Sequence, residues 1–439
     1  MQFSKVQYKS KFLLFFFLIQ MIALGGSIEG FSSHALRLGS LWECVNPLFL
    51  IIYAIKMKIK LAKMQAFIIV IGFIFIWNIL LVLKFGSYPI LLGRIYDVLY
   101  AFILIRTLSL DVFFYYTEKI VTLLTKIGLF LWLPIIIYPD IRYFYENVSF
   151  EPHTPGTCQG TFGFFAFAAF GQEHEGIIIR NLGFCREPGV YSSILVFTLF
   201  IHLIRNKFVL FQKNFWPLVI GLISSQSTTG YMAFLVCIVA YLINSKNNYS
   251  SIYKYIIITL SILTFIYSPF MLNKLISVSD HDNFLNEERA SYYAGDDSFY
   301  VPQRIEGLFW ETMNIVNSPL LGYGDNSENS YVRSVLFPGV NISLSNGLLQ
   351  IFAMMGIPLG LLFYFITIKS TSQIMKYYNA RGIYMFFITL CAINVSYNFF
   401  MEPFFITISM YSIFSLENSK TINVRTWLSK YNKNHYAYV

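Results

Sequence analysis

The chain has few charged residues for its length, and this scarcity decides which solvent surrounds it. Only 13% of its 439 residues are charged, whereas 56% are hydrophobic and the mean hydropathy is +0.58. A soluble globular protein needs a polar shell that this composition does not provide. The first apolar stretch, 12–28, lacks a small-residue cleavage site, so we expect a retained span rather than a signal peptide. The sequence therefore predicts an all-α integral membrane protein.

Cysteine and histidine are also scarce, with five and six residues. Their positions show none of the spacings of a metal site, so we predict neither a metal nor another cofactor. Cys158 and Cys185 fall in one predicted outer loop, where a disulfide could form in an oxidising compartment. No internal repeat, heptad array or low-complexity tract divides the chain. Residues 1–439 are therefore interpreted as a single polytopic membrane domain.

Apolar runs separated by charges mark the predicted transmembrane helices. A spanning helix needs about 20 mostly apolar residues, and twelve segments come close to that length. The last two of them could instead form one re-entrant hairpin. The predicted spans are 12–28, 41–55, 66–83, 89–105, 119–138, 188–204, 208–224, 228–244, 252–270, 345–368, 382–399 and 401–417.

Basic residues set the predicted orientation, because lysine and arginine collect on the cytoplasmic side of membrane proteins. With a cytoplasmic N-terminus, most lysines fall on that side, and so does the basic tail 418–439. Both termini are therefore predicted to be cytoplasmic. Attraction to anionic lipid headgroups accounts for the net charge of +9 without a nucleic-acid partner. The basic residues assigned to the outer side are mostly arginines, which topology alone does not explain.

Two predicted outer loops, 139–187 and 271–344, are long enough to carry a function. The first contains the apolar run 162–170, which is too short to span. We expect this run to lie in the membrane interface or to dip back into the bundle. In the second loop, apolar residues spaced as one helical face predict an amphipathic surface helix over Arg304–Asn317, ended by the Ser-Pro pair that follows.

The segment 180–189, with the sequence RNLGFCREPG, is the strongest sign of chemistry in the chain. It places two arginines and a carboxylate at the start of a predicted span, where arginines beside a helix N-terminus suit a diphosphate. Pro188 fits the first turn of that helix and Glu187 fits its cap. Capping by Glu187, with an ion pair to Arg186, would also explain these residues. This structural interpretation does not explain the presence of Arg180.

Two arginines of the second long loop have a structural interpretation beside a functional one. In the structural interpretation, Arg304 lies at the surface, where isolated charges are usually solvated, or it forms an ion pair with Glu306 or Glu311. For Arg289 the structural interpretation is stronger, because two glutamates immediately precede it. In the functional interpretation, both arginines face the segment 180–189 from the opposite loop.

Charged residues also occur within or between the predicted spans. Arg94 and Asp97 lie three residues apart in one predicted helix, and therefore on one face of it. Because charges at membrane depth are costly unless paired, we expect a structural ion pair between them. Glu402 lies at the predicted outer turn between the last two spans. It could serve the site or only interrupt the hairpin.

Several motifs follow one another in an order that resembles a known family. They are R-x-x-G-F-x-x-E-P-G at 180–189, S-S-Q-S-T-T-G-Y at 224–231, Arg304 followed by S-P-L-L-G-Y-G at 318–324, and S-N-G-L-L-Q at 345–350 followed by G-I-P-L-G at 356–360. Together they resemble the O-antigen polymerase and O-antigen ligase superfamily of bacterial polysaccharide assembly. The motifs cover about residues 180–370, and the spans and loops extend the resemblance to the whole chain.

The resemblance implies a metal-independent glycosyltransferase of the bacterial inner membrane, active on its outer face. Its donor would be an undecaprenyl-diphosphate-linked oligosaccharide, and its other partners would be membrane lipids, a chain-length regulator and a flippase. Arginines would stabilise the charge that grows on the diphosphate. The predicted catalytic residues are Glu187, Arg186 and Arg180, and the predicted substrate-binding residues are Arg180, Arg186, Arg304, Arg289, Tyr323 and Asn346.

The proton acceptor and the type of transfer are inferred from individual residues and not from the order of the motifs. Glu187 is the carboxylate nearest to the arginines in sequence, although neighbouring arginines favour its ionised form and weaken it as a base. Ligases typically carry histidine before the asparagine of the tenth span, whereas here Ser345 precedes Asn346. That difference favours a polymerase, making O antigen or capsule, over a ligase. A flippase would need charges lining a cavity within the spans, and the later spans hold few.

Overall fold

The computed structural model describes most of the chain, but not every predicted feature. The predicted span 252–270, the tail 418–439, Arg289 and Cys158 lie outside the described residues. The described residues are 10–22, 24, 39–57, 62–86, 91–141, 144, 162–164, 167–170, 180–210, 212–245, 299–300, 302, 304–342, 344 and 346–416.

Helices dominate the described residues, in line with the predicted fold class. Before the first long loop they are α1 Lys11–Ile22, α2 Gly39–Met57, α3 Met64–Phe85, α4 Leu91–Thr107 and α5 Leu110–Ile137. After it they are α6 Pro188–Arg205, α7 Phe215–Ser225, α8 Thr228–Asn244, α9 Arg304–Asn317, α10 Gly347–Tyr377, α11 Met385–Asn394, α12 Pro403–Ser409 and α13 Tyr411–Phe414.

Short strands and short helical turns lie in the connections between the helices. Strands β1 Phe162–Phe164 and β2 Phe167–Phe170 pair antiparallel, so the apolar run 162–170 folds as a hairpin. Strands β3 Phe299–Tyr300 and β4 Asn341–Ile342 pair in parallel and join the segments that precede and follow α9 in the second loop. Helix α9 has the bounds predicted for the helix of that loop, whereas its position at the membrane surface stays a prediction. Short 3₁₀ turns lie at Ser327–Asn329 and Phe399–Met401, and a π-helical turn lies at Val332–Leu336.

Four of the described helices, α3, α5, α6 and α10, are long and apolar enough to cross a membrane. This supports a membrane protein, but the full set of predicted spans is not confirmed. The predicted span 382–399 contains only α11, which has 10 residues. That helix ends at Asn394, whose side-chain oxygen accepts a hydrogen bond from Phe400 N at 2.9 Å. The predicted span 401–417 is divided between α12 and α13.

Helix α6 is the central helix of the bundle. Of its apolar stretch, 83% is buried, against 17% of that of α3, whose apolar side chains face outwards. Helices α5, α7, α8 and α11 surround α6. Because the segment 180–189 leads directly into this central helix, its charged residues lie at the middle of one end of the bundle.

Helix α10 is broken near its first third, which the predicted continuous span 345–368 did not anticipate. At Gly356 the backbone has a φ of 76° and a ψ of 165°, a left-handed conformation that favours glycine. A Cβ atom at this residue would lie 2.3 Å from the carbonyl oxygen of Leu320. Pro358 follows the break and has no backbone N–H to donate. The sequence G-I-P at 356–358 therefore ends one half-helix and starts another.

The break leaves backbone groups without helical partners, and the segment 318–324 satisfies them. Unsatisfied backbone groups are costly, especially at membrane depth. The two sequence motifs at 318–324 and 356–360 are thus in direct contact. The hydrogen bonds run from Ile357 N to Pro319 O at 2.7 Å, from Tyr323 N to Ala353 O at 2.9 Å and from Gly324 N to Met354 O at 3.0 Å.

A buried ionic cluster lies at the other end of α6. Glu118 of α5 accepts hydrogen bonds from Asn214 Nδ2 and pairs with His202 Nδ1, both at 2.9 Å. The Arg205 guanidinium contacts the second carboxylate oxygen. Glu118 therefore joins α5, α6 and the start of α7 through one buried side chain.

The variant Glu118→Ala is expected to destabilise the protein by about 3 kcal/mol or more, since it leaves buried polar partners uncompensated. The exposed Lys126 lies on the same helix, so Lys126→Ala should change the free energy of unfolding by less than about 0.5 kcal/mol. Unfolding of the protein in mixed micelles measures both. Equal stability of the two variants would contradict a central role for the cluster.

Candidate active site

The segment 180–189 folds as a compact turn ahead of α6. The side-chain oxygen of Asn181 accepts a hydrogen bond from Gly183 N at 2.9 Å. Gly183 has a φ of 56°, and a Cβ atom there would lie 2.4 Å from the Tyr191 ring. Glycine is therefore required both by the backbone conformation and by the packing on α6. The shape of the turn that carries the arginines is fixed by its own sequence.

Cys185 packs inside this turn and does not form the disulfide considered from the sequence. Its thiol is free and fully buried, and burial raises its pKa well above the usual range. Cys158, the other member of that pair, lies outside the described residues. The structure therefore gives Cys185 a packing role.

The turn is held against a second motif, which starts at Ser224. The backbone N–H of Asn181 donates to Ser224 O at 3.0 Å. The Arg180 guanidinium donates to the carbonyl oxygen of Gln226 at 2.7 Å, and Gln226 itself has a φ of 47°. Burial lowers the pKa of Arg180, whereas Tyr231 nearby raises it. The structure thus brings the motifs 180–189 and 224–231 into contact.

Arg186 and Glu187 lie at the N-terminus of α6, where Pro188 is the first helical residue, as the sequence predicted. Glu187 occupies the cap position, but its side chain makes no capping hydrogen bond. Its Oε1 lies 3.8 Å from Arg186 Nε. The ion pair expected in the structural interpretation is therefore present, whereas side-chain capping is not. Both side chains are more than half buried, with exposed fractions of 12% and 25%.

Two residues from the other end of the chain complete this group. The ring of Tyr397 lies under Arg186, with 5.3 Å between the ring centroid and Cζ. This distance is typical of a cation–π contact. The Tyr397 hydroxyl donates to Glu402 Oε1 at 2.7 Å. We define Arg186, Glu187, Tyr397 and Glu402 as the central cluster.

A second ionic group borders the central cluster. The expected ion pair of Arg94 and Asp97 is present, with 3.1 Å between Nη1 and Oδ2. Arg94 also binds Asp325 of the second loop, through Nε at 2.8 Å and Nη2 at 2.6 Å. The carboxylates of Asp97 and Glu402 interact electrostatically. Arg94 therefore ties the second loop to the bundle beside the central cluster.

Tyr323 and Asn346, both predicted to bind substrate, lie around the first half of α10. Tyr323 is buried and hydrogen-bonds Gln350, and burial raises the pKa of its hydroxyl well above the usual range. Asn346 caps α10, because its side-chain oxygen accepts hydrogen bonds from the first backbone N–H groups of that helix. Both residues are thus placed near the site, and both have structural partners.

The structure gives little information on Arg304 and Arg289, the two arginines of the second loop that were predicted to bind substrate. Arg304 begins α9, but the position of its side chain is not described, and Arg289 lies outside the described residues. Glu306, one of the predicted partners of Arg304, accepts hydrogen bonds from Tyr300 at 2.9 Å and from Trp310 at 3.0 Å. The participation of Arg304 and Arg289 in the site stays a prediction.

Glu311 is the most unusual carboxylate of the second loop. It is fully buried in α9, and its Oε1 has no hydrogen-bond partner among the residues that the structure describes. Burial raises its pKa from the usual 4.5 to about 8, while a hydrogen bond from Asn314 acts in the opposite direction. The folded protein therefore holds a proton on Glu311 at neutral pH, which the unfolded chain releases.

Because Glu311 binds its proton more tightly in the folded state, the free energy of unfolding should fall as the pH rises from 4.5 to 8. The slope of this contribution is at most about 1.4 kcal/mol per pH unit. Glu311→Gln should remove it and stabilise the protein at pH 8. Thermal unfolding between pH 5 and 8 measures the effect. The exposed neighbour Thr312 provides the control Thr312→Ala, which should keep the wild-type slope.

The arrangement combines cationic and anionic groups at a helix N-terminus. Guanidinium groups and the N-terminus of α6 favour a bound anion, and the adjacent carboxylates can accept a proton. Within the described residues, no group of three His, Cys, Asp or Glu side chains is placed to hold a metal ion. Sequence reasoning missed Tyr397 and Asp325 as parts of this region, since both gain their partners only through tertiary contacts.

These features define a helical membrane protein with a candidate site for an anionic substrate. Residues 214–364 match the family model described as O-Antigen ligase. The match supports similarity to the O-antigen polymerase and ligase superfamily of polysaccharide assembly, without separating the two activities. It includes the 318–324 segment and the α10 break, whereas 180–189 lies before it. No curated protein and no solved structure shows a significant match to the chain.

Proposed function

We propose that this protein is a repeat-unit polymerase of bacterial O-antigen or capsule assembly, located in the inner membrane. It would transfer the growing glycan from its undecaprenyl-diphosphate carrier to a hydroxyl group of a lipid-linked repeat unit. The observation that supports this proposal is the placement of Arg180 and Arg186 in one hydrogen-bonded turn. That turn is bonded to residues 224–226, inside the region similar to the family.

The chemistry of such a transfer suits the groups at this end of the bundle. The bond between the anomeric carbon and the carrier diphosphate breaks, and the diphosphate leaves with the electron pair. Arg180, Arg186 and the N-terminus of α6 would stabilise the negative charge that develops on it. The acceptor oxygen forms the new bond, and its proton passes to a carboxylate. Glu187 is the acceptor predicted from the sequence, and Arg304 is proposed to bind the diphosphate from the second loop.

A glycan ladder gel of a deletion strain tests this proposal. Complementation with the wild-type gene should restore a long ladder, whereas Arg180→Ala, Arg304→Ala and Glu187→Gln should leave mostly single repeat units. Arg381 is exposed in the connection between α10 and α11, outside the proposed site, so Arg381→Ala is a matched control that should restore the ladder. A full ladder from all three site variants would contradict the proposed site.

Ligation is the second candidate, because the matching family model is described as an O-Antigen ligase. A ligase would transfer finished polymer from the same carrier to a lipid core. In that case the deletion strain would still make polymer on the carrier but would not attach it. Analysis of carrier-linked glycan in the deletion strain therefore separates the two: single units indicate a polymerase, and long chains indicate a ligase.

A further inference from the structure

Two helices at the site begin with the same dipeptide, Glu-Pro. Glu187 and Pro188 begin α6, and Glu402 and Pro403 begin α12. In both helices the glutamate occupies the cap position without a capping hydrogen bond from its side chain. Each carboxylate instead interacts with a residue outside its own helix, Glu187 with Arg186 and Glu402 with Tyr397. Tyr397 lies between the two helix starts and interacts with both carboxylates.

The two carboxylates have different surroundings. Glu187 lies 3.8 Å from the guanidinium of Arg186, the residue proposed to bind the donor diphosphate. Glu402 instead accepts a hydrogen bond from Tyr397 at 2.7 Å, which fixes one of its two oxygens. Since Tyr397 separates Glu402 from Arg186, the Glu402 carboxylate is placed one side chain away from the diphosphate position. The attacking hydroxyl group of an acceptor would be expected at this distance from the diphosphate, next to the Glu402 carboxylate.

Buried polar atoms without hydrogen-bond partners among the described residues lie in and against the turn that carries this carboxylate. Asn346 is 1% exposed, and its Oδ1 caps α10. Among the described residues, neither Nδ2 of Asn346 nor Oδ1 of Asn398 has a hydrogen-bond partner. The two segments touch, since a Cβ atom on Gly347 would lie 2.6 Å from Asn398 Cα. A buried donor and acceptor without partners are costly to maintain, and they indicate a ligand with hydroxyl groups.

We propose that the acceptor sugar binds at the turn 394–402 and that Glu402 takes the proton from its attacking hydroxyl group. Asn346 and Asn398 bind neighbouring hydroxyl groups of the same sugar, and Tyr397 is a positioning residue for Glu402. The acceptor oxygen forms a bond to the anomeric carbon as its proton moves to Glu402, which becomes a neutral carboxylic acid. The carrier diphosphate leaves with the electron pair of the broken bond. This assignment rests on the proposed function and replaces Glu187 as the base.

Full-length protein in lipid vesicles, supplied with lipid-linked repeat unit extracted from the deletion strain, tests the assignment. Glu402→Gln should lower the rate of polymer formation by about 100-fold or more, the usual contribution of a general base. Binding of the extracted lipid should be unchanged. Tyr397→Phe should lower the rate by about tenfold, as expected for a lost hydrogen bond to a charged group. Asn346→Ala should raise the KM for the acceptor. The exposed Glu328 provides the control Glu328→Gln, which should keep the wild-type rate.

Chemical rescue distinguishes the two glutamates and does not depend on a merely structural effect. Formate should restore part of the rate of Glu402→Ala, because it can occupy the vacated position as a base. It should not restore Glu187→Ala. A full rate in Glu402→Gln, or rescue of Glu187→Ala alone, would overturn the assignment. Wild-type protein that makes no polymer in this assay would overturn the proposed function itself.

Discussion

Arg186→Lys is expected to lower polymer formation by about 100-fold or more, the usual cost of removing one preorganised charge-stabilising group. Lysine keeps the positive charge but loses the planar guanidinium, which can bind a diphosphate through two donors and stack on an aromatic ring. Arg186 uses its plane in this way, because Tyr397 lies 5.3 Å beneath it. The loss should be measured as initial rate in vesicles with extracted lipid-linked repeat unit.

Arg381→Lys is the matched control for this variant. Arg381 is exposed in the connection between α10 and α11, outside the central cluster. We expect the control to keep the wild-type rate and Arg186→Lys to bind the donor lipid more weakly. Equal rates for Arg186→Lys and wild type would show that positive charge alone is sufficient at this position, and would contradict binding of the diphosphate through the planar guanidinium of Arg186.

Local sequence patterns predict best those helices whose first and last residues are determined by nearby residues in the sequence. Helix α8 has its predicted bounds because Ser227 caps it, with its side chain accepting a hydrogen bond from Gly230 N at 3.2 Å. The bounds of α9 were predicted from apolar spacing and the Ser-Pro pair that follows it. Caps and periodicity act over a few residues, so they are visible in the sequence.

Elements whose limits depend on distant partners were predicted less well. The break in α10 needs the segment 318–324 to satisfy the freed backbone groups, and that pairing joins residues about thirty positions apart in the chain. The sequence G-I-P at 356–358 contains the local signal for a break. Hydropathy conceals it, because all three residues suit a membrane span.

The candidate site shows the same division between local and distant interactions. The pairing of Arg186 with Glu187 and the contact of Arg94 with Asp97 could be expected, since each pair is close in sequence. Asp325 lies in a polar loop, where an aspartate is unremarkable until Arg94 is placed beside it. Tyr397 was hidden in a predicted span. Tertiary contacts alone give such residues their roles.

Arg94→Gln is expected to be the most destabilising change at this end of the bundle. It removes the partner of two largely buried carboxylates at once, because Arg94 binds both Asp97 and Asp325. Breaking a buried ion pair typically costs about 3–5 kcal/mol, since the remaining charge is left uncompensated. Asp325→Asn should cost less, as Arg94 would still be paired with Asp97. The free energy of unfolding in mixed micelles measures both variants.

The double variant Arg94→Gln/Asp325→Asn identifies the reason for these losses. If the cost comes from an uncompensated charge, removing Asp325 should recover part of the stability lost in Arg94→Gln, by about 0.5–3 kcal/mol relative to additivity. The double variant should nevertheless stay poor in polymer formation. Asp325 directly follows the segment 318–324, which connects α9 to the break in α10, so the pair with Arg94 fixes the second loop beside the central cluster. Strictly additive losses would contradict a direct coupling between Arg94 and Asp325, whereas recovered polymer formation would show that the loop reaches the site without it.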